Sequence, residues 1–253
     1  ISDVDVLNFA LNLEYLEAEY YLRAVTGQGL PAALGGNGGA VTAPGTTLVP
    51  FKTPALAYYA QNIAADEQAH VAFLRTAIAA GGGTVVAEPK IDLVSSFTTL
   101  AVAAGLVSQG QSFNPFADEI SFLLGAYIFE DVGVTAYAGA ANVLTNPNNL
   151  AYAASVLAIE GYHAGAVRGY LSQVGGGVAT NAVSSLRAKL SNSMDSGTSV
   201  TGNPYNFNNV DYNGQVIRRT PQQVLNIVYG TATAGQTAGL FYPNGMNGTI
   251  RST

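Results

Sequence analysis

The sequence predicts an all-α protein: a four-helix bundle with one long crossover, plus a loop insertion and a C-terminal helical extension. Three observations predict it. Apolar residues recur in alternating steps of four and three along four long stretches, capping residues followed by proline mark helix starts, and the connections between stretches differ greatly in length.

Ser2, with Asp3 and Asp5 in the first turn, opens a long helix that runs to about Val25 and stops at Gly27. Thr53-Pro54, Asn114-Pro115 and Thr220-Pro221 each pair a capping residue with a proline suited to the first helical position, so each is expected to start a helix. Residues 26–52 are rich in Gly and Pro and lack helical periodicity, and they read as a long loop covering one end of the bundle. A connection of roughly thirty residues, from Gly81 to Phe113, carries a short helix at Ser96 to Val107 and separates the second long helix from the third. The fourth begins near Pro147, only a few residues after the third, and ends before Gly175-Gly176-Gly177.

A short join makes antiparallel neighbours, whereas a long one can run the length of a bundle and leave its two helices parallel. Beyond Gly177 the sequence predicts a helix near Asn181 to Leu190, an Asn/Gly-rich irregular stretch to Arg219, a short helix from Pro221 to Tyr229 and a Gly-rich tail. Residues 1–177 are expected to form the bundle, with 178–253 packed on it as part of the same domain.

Composition narrows the function. Nearly half of the 253 residues are apolar, enough for a sizeable core, and only 10% are charged, against roughly 25% in an average soluble domain. Sixteen acidic and ten basic residues, with no Lys/Arg cluster, leave no electrostatic footprint for nucleic acid or anionic lipid. The longest apolar runs, Phe97 to Val107 and Ile120 to Phe129, are about half of the roughly 20 residues that span a bilayer, so no membrane span is expected. The absence of cysteine excludes disulfides, thiolate ligands and a cysteine nucleophile. Low charge, abundant Asn and Gly, and a start at Ile1 without an initiator Met fit an exported protein, periplasmic or extracellular.

Both histidines of the chain follow a glutamate by three residues, as Glu67-Gln68-Ala69-His70 and Glu160-Gly161-Tyr162-His163. Residues three apart share a helix face, so each pair presents a carboxylate and an imidazole to one point. Glutamate fills about 3% of positions, which puts the chance of both pairs arising by accident near one in a thousand.

Heptad spacing places these pairs on apolar seams: Leu56, Ala60, Ile63, Glu67, His70, Leu74 and Ala77 on the second helix, and Ala153, Val156, Glu160, His163, Val167 and Tyr170 on the fourth. Glu130 interrupts the third seam, formed by Ile120, Leu123, Tyr127, Val134 and Tyr137. Glu14 interrupts the first, formed by Leu7, Leu11, Ala18, Tyr21 and Val25. All four glutamates lie 12 to 15 residues from their expected helix starts, about 20 Å along the axis, and so meet at one level.

Four carboxylates in an apolar core repel one another, and two divalent cations cancel their charge. Oxygen and imidazole donors suit iron or manganese. Each ion would take one histidine and one terminal glutamate, with two glutamates bridging. The alternative is a set of buried, hydrogen-bonded side chains with a structural or vestigial metal site.

The pattern Glu, Glu-x-x-His, Glu, Glu-x-x-His on four successive helices resembles the ferritin-like superfamily of di-iron and di-manganese proteins. More closely, Asn8 to Tyr21 (NFALNLEYLEAEYY), Asp66 to His70 and the terminal Phe241 to Gly248 (FYPNGMNG) resemble the desiccation-related, stress-responsive ferritin-like branch. The resemblance implies metal ligation by Glu14, Glu67, His70, Glu130, Glu160 and His163, oxygen or peroxide as reactant in ferroxidase- or catalase-like chemistry, and oxidative protection under stress. It equally admits a protective scaffold without enzymatic activity.

Superfamily members often carry a tyrosine seven residues after the first-helix glutamate. Tyr21 follows Glu14 and Tyr137 follows Glu130 at that distance, which favours Glu14 over Glu17 as the ligand; aromatic residues at heptad positions usually serve packing, and the alternative is that both tyrosines stand beside the centre. Glu17 departs from the small residue often found there and could shift the ligand set, add a carboxylate beside the centre, or hydrogen-bond at the seam's edge. By residue type alone, Glu17 and Glu19 read as a solvated face, and Asp66 and Asp131 as pointing outward or capping neighbours. The long first loop and C-terminal extension favour a small homo-oligomer over a cage.

Overall fold

The computed structural model describes residues 1–200 and 205–253, and residues 201–204, within the stretch expected to be irregular, lie outside that description. Four long helices form the bundle: α1 (Asp3–Thr26), α3 (Pro54–Ala80), α5 (Glu119–Ala140) and α6 (Pro147–Gln173). Between them lie α2 (Ala32–Gly35), the two-residue strands β1 (Val41–Thr42) and β2 (Ile91–Asp92), and α4 (Ser95–Ala103). The helices α7 (Gly177–Ser191) and α8 (Pro221–Tyr229) follow. Most interhelical packing joins α1 to α3 and α5 to α6, and these two hairpins meet through α1 with α5 and α3 with α6.

The expected helix ends are largely those observed. Ser2 and Asp5 form a reciprocal capping box at the start of α1, and Gly27 ends it in the left-handed conformation. Asn146 and Thr220 cap α6 and α8 ahead of their prolines. Thr53 makes no side-chain cap on α3. Instead the Glu119 carboxylate accepts from the backbone N–H groups of Lys52 and Thr53, tying the starts of α3 and α5 together.

Asn114-Pro115 does not start the third long helix. Its side-chain oxygen accepts from the Phe116 N–H and closes a turn, and Asp118 then caps α5 by accepting from Ser121. With α5 starting at Glu119, all four seam glutamates fall near the middle of their helices. Mid-helix positions meet at one level whichever way neighbouring helices run.

The first loop is not wholly irregular. β1 pairs in parallel with β2, Val41 against Ile91, which fastens the loop to the crossover. The tail motif docks on α1: Asn12 Nδ2 donates to the Asn247 carbonyl at 2.9 Å, Asn247 N–H donates to Asn12 Oδ1 at 2.9 Å, and Tyr242 donates to the Asn12 carbonyl at 2.8 Å. Two of the three segments that carried the branch resemblance, Asn8 to Tyr21 and Phe241 to Gly248, therefore touch each other.

Helix α5 is enclosed by α1, α6, α7 and α8. By length and composition it could cross a membrane, with mean hydropathy 1.2, although no apolar run within it reaches that length. Since 78% of that window is buried inside the protein, its apolarity is that of a core helix. Two seam assignments on α5 change. Ile120 is 48% exposed, and Tyr127 turns from the bundle axis to α7, where its hydroxyl lies 2.6 Å from Ser184 Oγ.

Asp131 is the larger correction, because it is buried rather than outward. Its Oδ2 accepts from Arg168 at 2.7 Å and Arg187 at 2.6 Å, while Asp195 accepts from Arg187 at 2.9 Å and Arg219 at 2.7 Å. The second guanidinium nitrogen of Arg168 donates to the carbonyls of Ser196, Gly197, Asn206 and Asn208. Such charges are tolerable in a core only when paired and hydrogen-bonded, and this network joins the C-terminal segment to α5 and α6.

Candidate metal centre

Glu14, Glu67, Glu130 and Glu160 are each at most 1% exposed, and His70 and His163 are 8% and 5% exposed. All six converge on the bundle axis. His70 Nδ1 lies 3.1 Å from Glu14 Oε2, 3.3 Å from Glu67 Oε2 and 3.8 Å from Glu160 Oε1. His163 Nδ1 lies 2.9 Å from Glu67 Oε1 and 3.6 Å from Glu130 Oε2. The imidazole centroids are 6.3 Å apart.

Two groups share these atoms. In Glu14, Glu67, His70 and Glu160, and again in Glu67, Glu130 and His163, one donor atom from each residue lies within 4.8 Å of all the others. Glu67 belongs to both groups, with Oε2 toward His70 and Oε1 toward His163. A carboxylate so placed can bridge two cations.

The polar accounting favours cations over hydrogen bonds. Glu67 Oε1, Glu130 Oε2, both Glu160 oxygens and His163 Nδ1 are buried without a hydrogen-bond partner. His163 Nδ1 and Glu67 Oε1 approach within 2.9 Å but are not aligned as donor and acceptor. Buried polar atoms are nearly always satisfied, so several orphans facing one point fit ligand atoms directed at a shared ion. Oxygen and imidazole donors in this number fit iron or manganese by hardness, and the site has no thiolate.

Protons alone would settle the charge differently. Burial lowers the histidine pKa values, but carboxylates outweigh it: Glu14 and Glu67 push His70 up to about 11, and Glu130 and Glu67 push His163 up to about 12. Burial, then the Glu14 charge, raises Glu67 to about 7. Burial, then Glu17 and Glu67, raises Glu160 well above the usual carboxylate range. On Glu14 burial also acts upward, but the charge and hydrogen bond of His70 prevail and lower it.

The flanking tyrosines cross between helices. Tyr21 donates to Glu130 Oε1, and Tyr137 donates to Glu14 Oε1. Each terminal glutamate thus has one oxygen held by a phenol and the other left toward the centre.

Residues 2–173, about two thirds of the chain, match the ferritin-like domain. The chain belongs to the ferritin-like domain family. Among its relatives, the ferritin-like catalase Nec2 of Nesocodon mauritianus is 29% identical across 98% of this chain and 85% of that protein. The desiccation-related protein PCC13-62 of Craterostigma plantagineum is 31% identical across 75% of this chain and 62% of that protein. The branch resemblance read from the three sequence segments agrees with both names.

In this ferritin-like chain two acidic residues of α1, Glu17 and Glu19, depart from the sequence expectation of solvation. Glu17 is buried at the edge of the centre, where burial, then Glu67 and Glu14, raises its pKa well above the usual range. Glu19 is buried too, accepting from Arg23 at 2.6 Å and from the Leu30 N–H at 2.7 Å, so that it fastens the first loop. Asp66 is half exposed as expected, but its Oδ2 lies 3.1 Å from His163 Nε2 and orients the ring.

Sequence reasoning missed Gly133. A Cβ there would overlap Glu160 Oε2 and lie 3.3 Å from Glu17 Oε1, so the glycine lets the Glu160 carboxylate press against α5. The available signal was its position three residues after Glu130, on the same helix face.

Proposed function

We propose that the bundle core holds two divalent cations, iron or manganese, and uses them in redox chemistry with peroxide or dioxygen. The observation that carries this reading is Glu67, whose two oxygens face two histidine-bearing groups, with orphaned atoms of Glu130, Glu160 and His163 around it. His70 and Glu14 would hold one ion, His163 and Glu130 the other, with Glu67 shared between them and Glu160 completing the set from the side of His70.

A bound pair of this kind supplies electrons to, or accepts them from, an oxygen species. The chain's residues hold the pair in a site closed to water. Tyr21 and Tyr137 fix the terminal glutamates, and Asp66 fixes the His163 ring. The name of the Nesocodon relative supports peroxide as the first substrate to test. We take residues 1–177 as the bundle and 178–253 as its extension within one domain, in an exported protein forming a small homo-oligomer.

The test is metal analysis of protein purified without chelator, anomalous scattering at the iron and manganese edges, and peroxide consumption. Two ions flanking Glu67 and loss of peroxide are expected. Metal-replete protein that binds no ion would end the reading.

A protective scaffold is the second reading, favoured by the buried arginine network and the desiccation-related relative. Replacing both His70 and His163 with Ala decides between the two. The redox reading predicts lost metal and activity, and the scaffold reading predicts protection retained.

A further inference from the structure

Two small cavities lie end to end beside α5, and none of the six proposed ligands lines either of them. The outer one is enclosed by α4, α5, α7 and α8, with Phe97, Leu100, Leu124 and Val183 in its walls. It presents no polar surface, since Arg187 contributes its stem while its guanidinium is held by Asp131 and Asp195. Its rim, at Ala104, Leu106, Leu186 and Leu190, is only partly buried and faces the surface between α4 and α7.

The inner cavity is wholly buried, among Leu13, Leu16, Phe129, Val132, Glu17 and Gly133. Ile128 and Ile227 line both cavities, so their side chains stand in the common wall. At the inner end, Glu17 and Gly133 meet the Glu160 carboxylate, which reaches the edge of the metal centre.

Each cavity has room for about one or two molecules the size of water. A buried water needs about two to four polar partners, but the outer cavity offers none and the inner offers only Glu17. Peroxide has the same hydrogen-bonding demand. A small apolar molecule has no such demand.

We propose that the two cavities form a dioxygen passage between the α4–α7 surface and the Glu17–Gly133 edge of the centre, with Ile128 and Ile227 as its partition. The use of the passage, to deliver or release dioxygen, rests on the redox reading above. Its selectivity rests on the walls alone. Dioxygen would travel this way, while peroxide must reach the centre along a more polar path.

Crystals of the protein as purified, pressurised with xenon and read by anomalous scattering, test the passage without reference to metal. Xenon is expected in both cavities, and Ile128→Phe is expected to remove it from the inner one. Xenon in neither cavity, or ordered water in both, would overturn the proposal.

In ferrous-loaded protein, Ile128→Phe should slow oxidation by dioxygen about tenfold while leaving oxidation by peroxide unchanged. Equal slowing of both would overturn the passage, since it would mean that the substitution disturbs the centre itself. Ile227→Phe serves the same comparison should Ile128→Phe fail to fold. A chain that binds no metal would end the dinuclear reading, and the xenon result would still decide the passage.

Discussion

The Tyr137 hydroxyl, on α5, donates to the Glu14 carboxylate, on α1, and the Tyr21 hydroxyl of α1 returns the bond to Glu130 of α5. Burial, then the neighbouring carboxylate, raises both phenols well above their ordinary range, so both remain donors at neutral pH. The exchange fixes two carboxylates at once. Tyr137→Phe should therefore lower metal affinity by about 10–100-fold, read by competition with a chelator. Unchanged affinity would show that the ring only packs.

The two groups of donors are separable by mutation. His70→Ala leaves Glu67, Glu130 and His163 in place, so the metal-to-protein ratio should halve rather than vanish. Elemental analysis after dialysis measures it. A full complement of metal in this variant would contradict the assignment of one imidazole to each ion.

Acidity should act on the metal-stripped and metal-loaded proteins with opposite sign. Glu67 holds its proton up to about 7 in the folded chain against an ordinary 4.5, so the folded state binds more protons across that interval and loses stability as pH rises through it. His70 and His163, ordinarily near 6.5, keep theirs up to about 11 and 12. Their contribution is full below the ordinary value and is lost as pH rises toward the folded ones. Stripped protein should melt higher at about pH 5 than at about pH 9, whereas loaded protein, whose ions displace those protons, should do the reverse. Calorimetry of both forms across this range is the check.

Gly133→Ala should push Glu160 away from α5. The overlap of the new Cβ with Glu160 Oε2 predicts a stability loss of about 1–3 kcal/mol together with reduced metal occupancy. Denaturant titration and elemental analysis read the two effects separately.

Asp131→Ala should cost about 3–5 kcal/mol, because it leaves Arg168 and Arg187 buried with too little opposing charge. The denaturant midpoint should fall. A small shift would mean that Asp195 and the backbone carbonyls suffice for both guanidinium groups.

What could be read from the sequence was local. Ser2, Thr53-Pro54 and Thr220-Pro221 announce helix starts because a capping residue or a proline acts on its own first turn. The same signal misleads at Asn114-Pro115, where it closes a turn that Asp118 then supersedes. The convergence of the six side chains was legible from spacing, since three-residue intervals put each Glu-His pair on one face and the heptad seams put Glu14 and Glu130 on theirs. Burial of Glu19 and Asp131 was not, because their partners come from other segments: the loop at Leu30 for one, and Arg168 and Arg187 for the other. Gly133 escaped notice because its importance lies in the absence of a side chain opposite a residue on another helix.

Glu130 and Asp131 are consecutive on α5, yet they face opposite directions and are neutralised by different means. On the two-ion reading, the charge opposite Glu130 is exchangeable with the surroundings, whereas that opposite Asp131 is tethered by covalent bonds to the same polypeptide. On that reading a chelator would empty one side of the helix. The arginine clasp on the other side ties the carboxy-terminal third to α5 and α6, so on the same reading the shell that encloses the centre should outlast the loss of its contents.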